Sequence, residues 1–438
     1  MRRLAILVLI LASARSAGAD SRSAAIQMLS FPGGPTVVLA PDSLAGAVNV
    51  GIWYAAGSRN DPAGHAGLAF VMTRGVFSPN AASRAALEGA GAAFQLSVTP
   101  DLSSVSVTLP AEQLRPGLEA MAGRVATPVL DAQALGAAIE GARAERRQRE
   151  QQSPLLPGFE RVSATLFAGH GYAAPASGDD AGLASITEAV ASQDLASRFA
   201  PARALITVTG RFDPADARSV LEKRFGVASR GGPLKPPVIP KFSPIEPRVD
   251  GGAMALPVAV VLAGWRLPPG SDADATALEV LARMLVGGVS TRLDRSLVTA
   301  EGPIVQIQGS FERRADACMF VVAGALSGAI DTTAIEARLT GEVERYARAP
   351  VRESDFQPAQ HAIESELLQR IQTSEGRGEA LAAALLLEGS LDAFEQRLGR
   401  LRALTPAALQ RAAASALTAD RRTVVWTEPA AATEAGQP

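Results

Sequence analysis

Residues 47–58, AVNVGIWYAAGS, and residues 258–271, VAVVLAGWRLPPGS, are two versions of one segment. Each is a short apolar run that reaches a tryptophan and breaks at a Gly-Ser turn, the second turn being one residue longer. Each then enters an apolar stretch with helical spacing that ends in glycine and valine, Gly75-Val76-Phe77-Ser78 in the first copy and Gly287-Gly288-Val289-Ser290 in the second. Solenoid repeats recur at roughly 20–50 residues, so a recurrence this distant means two domains of one fold. Between the copies, residues 226–252 read GVASRGGPLKPPVIPKFSPIEPRVDGG, rich in proline and glycine and without helical or strand period. Such a stretch is extended and semi-rigid. The expected layout is therefore a first domain over 20–227, a linker over 228–252, a second domain over 253–430 and a polar, disordered tail over 431–438.

The first 19 residues stand outside this plan. Arg2 and Arg3 precede the apolar run LAILVLILA and then small residues ending Ala17-Gly18-Ala19. This is the pattern of a secretory signal peptide, cleaved after Ala19, and it is too short for a membrane span. No cysteine stands at the cleavage site to carry a lipid, and no later stretch is long and apolar enough to cross a membrane. The expectation is a periplasmic or secreted chain. With 42 lysines and arginines against 44 acidic residues, the net charge of −2 favours neither nucleic acid nor an anionic membrane. Cys318 is the one cysteine, which excludes an internal disulfide.

Local patterns mix the two kinds of secondary structure. LSVTPDLSSVSVTLP (96–110) alternates as a strand pair about Pro100-Asp101. An alanine-rich helix is expected from the N-cap Asp131 to the stop at Pro154. ALITVTGRFDPADARSVLEKRFG (204–226) reads as strand, turn and amphipathic helix stopped by Gly226, and RRTVVWTEP (421–429) as a closing strand. Antiparallel strands with helices packed on them make the class α+β. The chain has no G-x-S-x-G elbow, no phosphate-binding loop and no dinucleotide fingerprint. Interleaved glutamates make the arginine-rich RAERRQRE (143–150) a solvated helix face, not a site for an anion.

Four segments in order, VGIWYAAGSRNDPAGHAGLAF (50–70), LFAGHGYAAPASGD (166–179), the strand-turn-helix ending in Phe225-Gly226, and MLVGGVSTRL (284–293), resemble the insulinase and pitrilysin family of zinc peptidases, in particular its short processing type. The resemblance runs from about residue 24 to 430. It implies two homologous insulinase-like domains. In active members the helix after the Gly-Ser turn carries H-x-x-E-H, two histidines on one helix face that bind zinc and a glutamate that activates the bound water. Here the three positions are Phe70, Thr73 and Arg74. A phenyl ring has no lone pair, a threonine is no base near neutral pH, and a guanidinium stays protonated. The family's third ligand, a glutamate on the next long helix, has its nearest match in Glu145, which also reads simply as an i, i+4 ion pair with Arg149.

Arg74 has two readings. Before Gly75, a natural C′ residue, it suits the last turn of a helix, where the free carbonyls favour a cation; alternatively it faces a chamber and meets a substrate carboxylate or a partner. The three histidines, His65, His170 and His361, have no metal spacing among them. The resemblance also implies an arginine-tyrosine pair after the second glycine stretch, and those positions are Val298 and Val305. What remains there is Gly287, Gly288, Ser290 and Arg292, either a substrate contact or a plain helix end and turn. The expectation is a catalytically inactive homologue with no cofactor of its own, paired with an H-x-x-E-H subunit that holds the zinc and binding or positioning peptides. The alternatives are a non-proteolytic scaffold of the envelope, self-associating or in another complex, and an active zinc peptidase with atypical ligands.

Overall fold

The structure, a computed structural model, describes residues 26–77, 81–227, 229–230, 241–254, 256–287, 291–300, 302–328 and 330–429. The first half runs β1 (Gln27–Ser30), β2 (Thr36–Pro41), β3 (Val48–Tyr54), α1 (Leu68–Val76), α2 (Ala81–Gly89), β4 (Ala93–Val98), β5 (Ser103–Leu109), α3 (Leu114–Ala126), α4 (Ala132–Gln152), α5 (Leu156–Leu166), α6 (Asp180–Ala184), α7 (Glu188–Ser197), β6 (Leu205–Gly210) and α8 (Pro214–Phe225). After β7 (Ser229–Arg230) the second half runs β8 (Arg248–Met254), β9 (Val260–Arg266), α9 (Ala273–Val286), α10 (Arg292–Leu297), β10 (Ile304–Glu312), β11 (Met319–Leu326), α11 (Thr332–Glu344), α12 (Glu353–Arg370), α13 (Ser374–Glu388), α14 (Ala393–Ala403), α15 (Pro406–Ala416) and β12 (Arg422–Pro429).

The duplication read from the tryptophan segments extends to the topology. One sheet has the order β4-β5-β3-β6-β2-β1-β7 and the other β10-β11-β9-β12-β8. Without its last two strands the first order is the second, element for element. The parallel pair also recurs, β2 with β6 and β8 with β12, while the other neighbours in these five-strand sets are antiparallel. The fold is α+β in two homologous domains. The stretch 228–252 is less irregular than its composition suggests, because Ser229–Arg230 pairs with β1 and β8 starts at Arg248. Backbone hydrogen bonds to a neighbouring strand override local proline and glycine content there. The signal peptide and the polar tail lie outside the described residues.

Local sequence explains the helix ends. Asp131 accepts the amide of Ala134 at the start of α4, and Asp213 accepts that of Ala215 at the start of α8, where Pro214 takes the first turn. α8 ends at Gly226, whose φ of 90° only glycine adopts readily. Gly75, by contrast, is not a C′ residue. α1 continues through it to Val76 with Phe77 as the cap. A Cβ at Gly75 would lie 2.6 Å from Leu130 Cδ1 and 3.3 Å from Ala138 Cβ, so the glycine serves the close approach of α4 to α1.

Each domain lends the other a helix. α5 packs on β8, β9 and β12 of the second sheet, and α13 packs on β3, β5 and β6 of the first. Val162, Leu166 and Phe167 share a buried cluster with Leu262, Met319 and Val425, and Leu381, Ala382 and Leu385 share one with Val38, Trp53 and Leu205. Small residues allow both crossings. A Cβ on Gly264 of β9 would meet Val162 Cγ1 at 2.2 Å, and Gly378 of α13 lies over Thr207, Thr209 and Asn49. This is why β3 is buried along its whole length.

A buried ionic junction fixes the two halves further. Arg59 Nη1 lies 2.9 Å from Asp101 Oδ1 and 2.7 Å from Asp316 Oδ1, with all three side chains buried. Tyr172 Oη donates to Asp101 Oδ1 (2.5 Å) and accepts from the amide of Asp316 (3.0 Å), while the amide of Ala315 donates to Asp101 Oδ2 (2.9 Å). His170 Nδ1 accepts the amide of Tyr172, which leaves Nε2 to donate to Asp316 Oδ2 at 3.2 Å. One cation thus joins the turn after β3, the β4–β5 turn and the β10–β11 turn. Gly171 is obligatory in this junction, since a Cβ there would lie 1.8 Å from the carbonyl oxygen of Arg59.

Candidate functional site

The helix at issue is α1, and a buried aspartate holds its start. Asp61 accepts the amides of Gly67 and Ala69, both at 2.9 Å, occupying two of the free donors of the first turn. Arg198, itself paired with Asp194, reaches Asp61 at 3.2 Å. Burial pushes the Asp61 carboxyl up to about 6, against the opposing pull of Arg198 and of the two amides. Gly67 caps the helix with φ 92°, and its Cα side faces Gly178 so closely that a Cβ would lie 2.8 Å from the Gly178 Cα.

Along α1, Phe70 and Thr73 are buried. The Thr73 hydroxyl donates to the carbonyl of Ala69 at 2.7 Å, so it is spent on its own helix. Arg74 emerges in the last turn and crosses α4 above Gly141, where a Cβ would meet Arg74 Nε at 2.3 Å. Its Nη1 lies 3.5 Å from Glu145 Oε2. Arg149 Nη2 lies 2.7 Å from Glu145 Oε1, and the Arg149 guanidinium sits 5.8 Å from the centre of the Phe70 ring, within cation–π range. The fold therefore brings Phe70, Thr73, Arg74 and Glu145 together and adds Arg149 to them. Glu145 meets both arginines, so neither reading from the sequence excludes the other.

These side chains do not fit zinc. The ring of Phe70 offers no lone pair, the hydroxyl of Thr73 is committed, and two guanidiniums already surround the one carboxylate of the cluster. Among the described residues no group of three or more His, Cys, Asp or Glu side chains is placed to hold a metal ion. His65 Nδ1 is 2.6 Å from Ser185 Oγ, His170 belongs to the interdomain junction, and His361 lies on the exposed face of α12.

Beside Arg74 opens a cleft of about 640 Å³, lined by Arg74, Gly75, Arg84, Phe94, Leu96 and residues of α4. Its floor is β4, the edge strand of the first sheet. The positions read from the second glycine stretch are not part of this cluster. Gly287 caps α9, and a Cβ there would collide with Arg283 at 2.2 Å. Arg292 opens α10 and lies 3.9 Å from Asp355 of α12. Gly288 and Ser290 lie outside the described residues. Val298 caps α10 and Val305 lies in β10.

Sequence reading did not find Asp61, although an aspartate shortly before an apolar helical run is a capping signal. Nor did it find the junction of Arg59, Asp101, Tyr172 and Asp316, whose members are scattered between residues 59 and 316 and carry no spacing.

Two family models of one family match the chain: insulinase (peptidase family M16) over residues 36–180 and the peptidase M16 inactive domain over residues 195–363. An uncharacterized zinc protease of Mycobacterium leprae is 26% identical over 320 residues, 70% of this chain and 71% of that protein. Among solved structures, a protease from Helicobacter pylori superimposes with a TM-score of 0.80 at 18% identity, over 92% of this chain and 99% of the other. A peptidase M16 inactive domain from Pseudomonas fluorescens gives 0.76 at 17% identity, over 93% and 98%. The fold and the matched models define a peptidase homologue of two α+β domains. The chain belongs to the insulinase family, M16.

Proposed function

We propose that this chain is a non-catalytic member of its family, exported to the periplasm, which binds or positions peptides beside a homologous subunit that carries H-x-x-E-H and the zinc. The observation that carries the proposal is the cluster Phe70–Arg74–Glu145–Arg149. In it a phenyl ring and two fixed cations surround the single carboxylate of Glu145. The cleft next to it supports the peptide part. An edge strand accepts an extended chain through main-chain hydrogen bonds, and Arg74 and Arg84 line the cleft beside it.

The test is affinity capture of the tagged full chain from the envelope fraction of its own cells, with the retained proteins identified by mass spectrometry. Recovery of an H-x-x-E-H homologue at near equal amount supports the pairing. Recovery of the bait alone, or of unrelated envelope proteins only, rejects it in favour of a self-associating or scaffold role.

A further inference from the structure

In the second domain a separate cavity of about 350 Å³ lies between α9, α12, α13 and α14 and the β10–β11 turn. Phe311, Ile363, Leu367 and Leu387 give it apolar walls, and Arg313 and Arg397 give it a cationic side. Both arginines face one acid, Glu279, and Glu388 adds a weaker attraction to Arg313. Arg397 Nη2 donates to Glu279 Oε1 and Oε2 at 2.8 and 2.9 Å, while Arg313 Nη1 lies 3.8 Å from Glu279 Oε2, beyond hydrogen-bond reach. Arg313 Nη2 donates to Thr276 Oγ1 at 3.1 Å. Arg313 Nη1 and Arg397 Nε are buried and meet no acceptor. Burial, with Arg397 beside it, pushes the pKa of Arg313 down, a sign that its charge is poorly compensated.

The other charged groups on the cavity do not supply the missing acceptor. Glu366 is held by Arg283 at 2.8 Å and Arg314 by Glu312 at 2.6 Å. Arg370 and Glu388 add one charge of each sign. The sum is one positive charge in excess, next to buried donors and an apolar wall. Buried guanidinium donors without acceptors are costly, and a carboxylate is the group whose geometry matches them.

We propose that this cavity binds a small carboxylate with an apolar body. A volume of about 350 Å³ is at the low end of ligand clefts, which span roughly 300–1,000 Å³. It suits an aromatic or aliphatic acid, supplied either free or as the C-terminal residue of a peptide. The carboxylate supplies acceptors to Arg313 and Arg397, and the side chain packs on Phe311 and Leu387. The site is distinct from the α1 cluster and does not depend on the reading of that cluster.

The test is calorimetric titration of the full chain with hydrocinnamate and with its uncharged carboxamide, and with the peptide Gly-Gly-Phe with a free or an amidated C-terminus. Saturable binding of the free acids, weaker by roughly tenfold or more for the amides, is the expected result. Arg313→Gln and Ala383→Leu each lower the affinity by a similar factor, the first by removing a donor and the second by filling the cavity while leaving every charge in place. The relative affinities of hydrocinnamate and the peptide assign the source. Should Arg313→Gln fail to fold, the cavity-filling variant and the rise in thermal midpoint of the wild type with acid but not amide carry the test. No saturable heat with either acid, equal binding of acid and amide, or an Ala383→Leu variant that binds like wild type overturns the proposal.

Discussion

At position 74 the chain carries a guanidinium, and its surroundings define what it contributes. The Arg74–Glu145 contact is long and partly exposed, and such pairs stabilise by about 0–1 kcal/mol. Arg74→Ala is therefore expected to change stability by less than about 1 kcal/mol while weakening peptide capture, read by chemical denaturation and by binding to immobilised peptides. A loss of stability well beyond that, with capture unchanged, assigns the residue to the fold. Glu145 permits a complementary test. Phe70→His, Thr73→Glu and Arg74→His made together are expected to create a zinc site of one equivalent by metal analysis, lost again with Glu145→Ala. Retention of the metal in that last variant excludes Glu145 as the counterpart of the family's third ligand. Asp61 gives a pH signature. Its folded pKa of about 6 lies above the ordinary 3.8, so the stability it contributes is fully present below about 3.8 and lost as pH rises through about 6. Relative to Asp61→Asn, the wild type is expected to lose about 2–3 kcal/mol over that window and to change little above it, read by thermal unfolding between about pH 4 and about pH 7. A flat difference across the window contradicts the burial argument.

At the scale of elements, the helix exchange rests on contact without side chains. Gly264→Ala drives a methyl into Val162, a stiff β-branched neighbour, and is expected to cost about 1–3 kcal/mol by overpacking, read by denaturant titration. A neutral effect means that α5 does not bear on β9 as closely as described. The elements themselves were legible in the sequence where period and punctuation agree. The tryptophan strands, the 96–110 pair, the helix from Asp131 and the closing strand at 421–429 lie where the patterns put them. Gly75 was misread because a helix-ending glycine and a helix-packing glycine look alike until the neighbouring helix is in place. The strands at 229–230 and 248–254 were hidden because pairing, not propensity, makes them. The exchange of α5 and α13 left no local trace, since an apolar helix face does not say which sheet it covers. In the site, Phe70, Thr73 and Arg74 were read as a frame and Glu145 with Arg149 as an i, i+4 pair; the contacts of Arg74 with Glu145 and of Arg149 with the Phe70 ring required the packing of α4 on α1.

For the whole molecule, two duplicated domains are joined by swapped helices and a buried junction around Arg59, so they are expected to unfold as one. Arg59→Met leaves Asp101 and Asp316 buried without their cation, a loss of about 3–5 kcal/mol for a broken buried pair. It is expected to lower the thermal midpoint and to split the transition seen by calorimetry; a single transition at the wild-type temperature contradicts the junction's role. This two-domain frame, with Phe70, Arg74, Glu145 and Arg149 clustered on α1 and α4, supports the binding role proposed above. The measurement that bears on it most directly is peptide hydrolysis by the purified full chain, with zinc supplied, against a diverse peptide mixture read by mass spectrometry. The account predicts no cleavage above a protein-free control. Cleavage that needs zinc, disappears with a chelator and persists through repeated purification contradicts it.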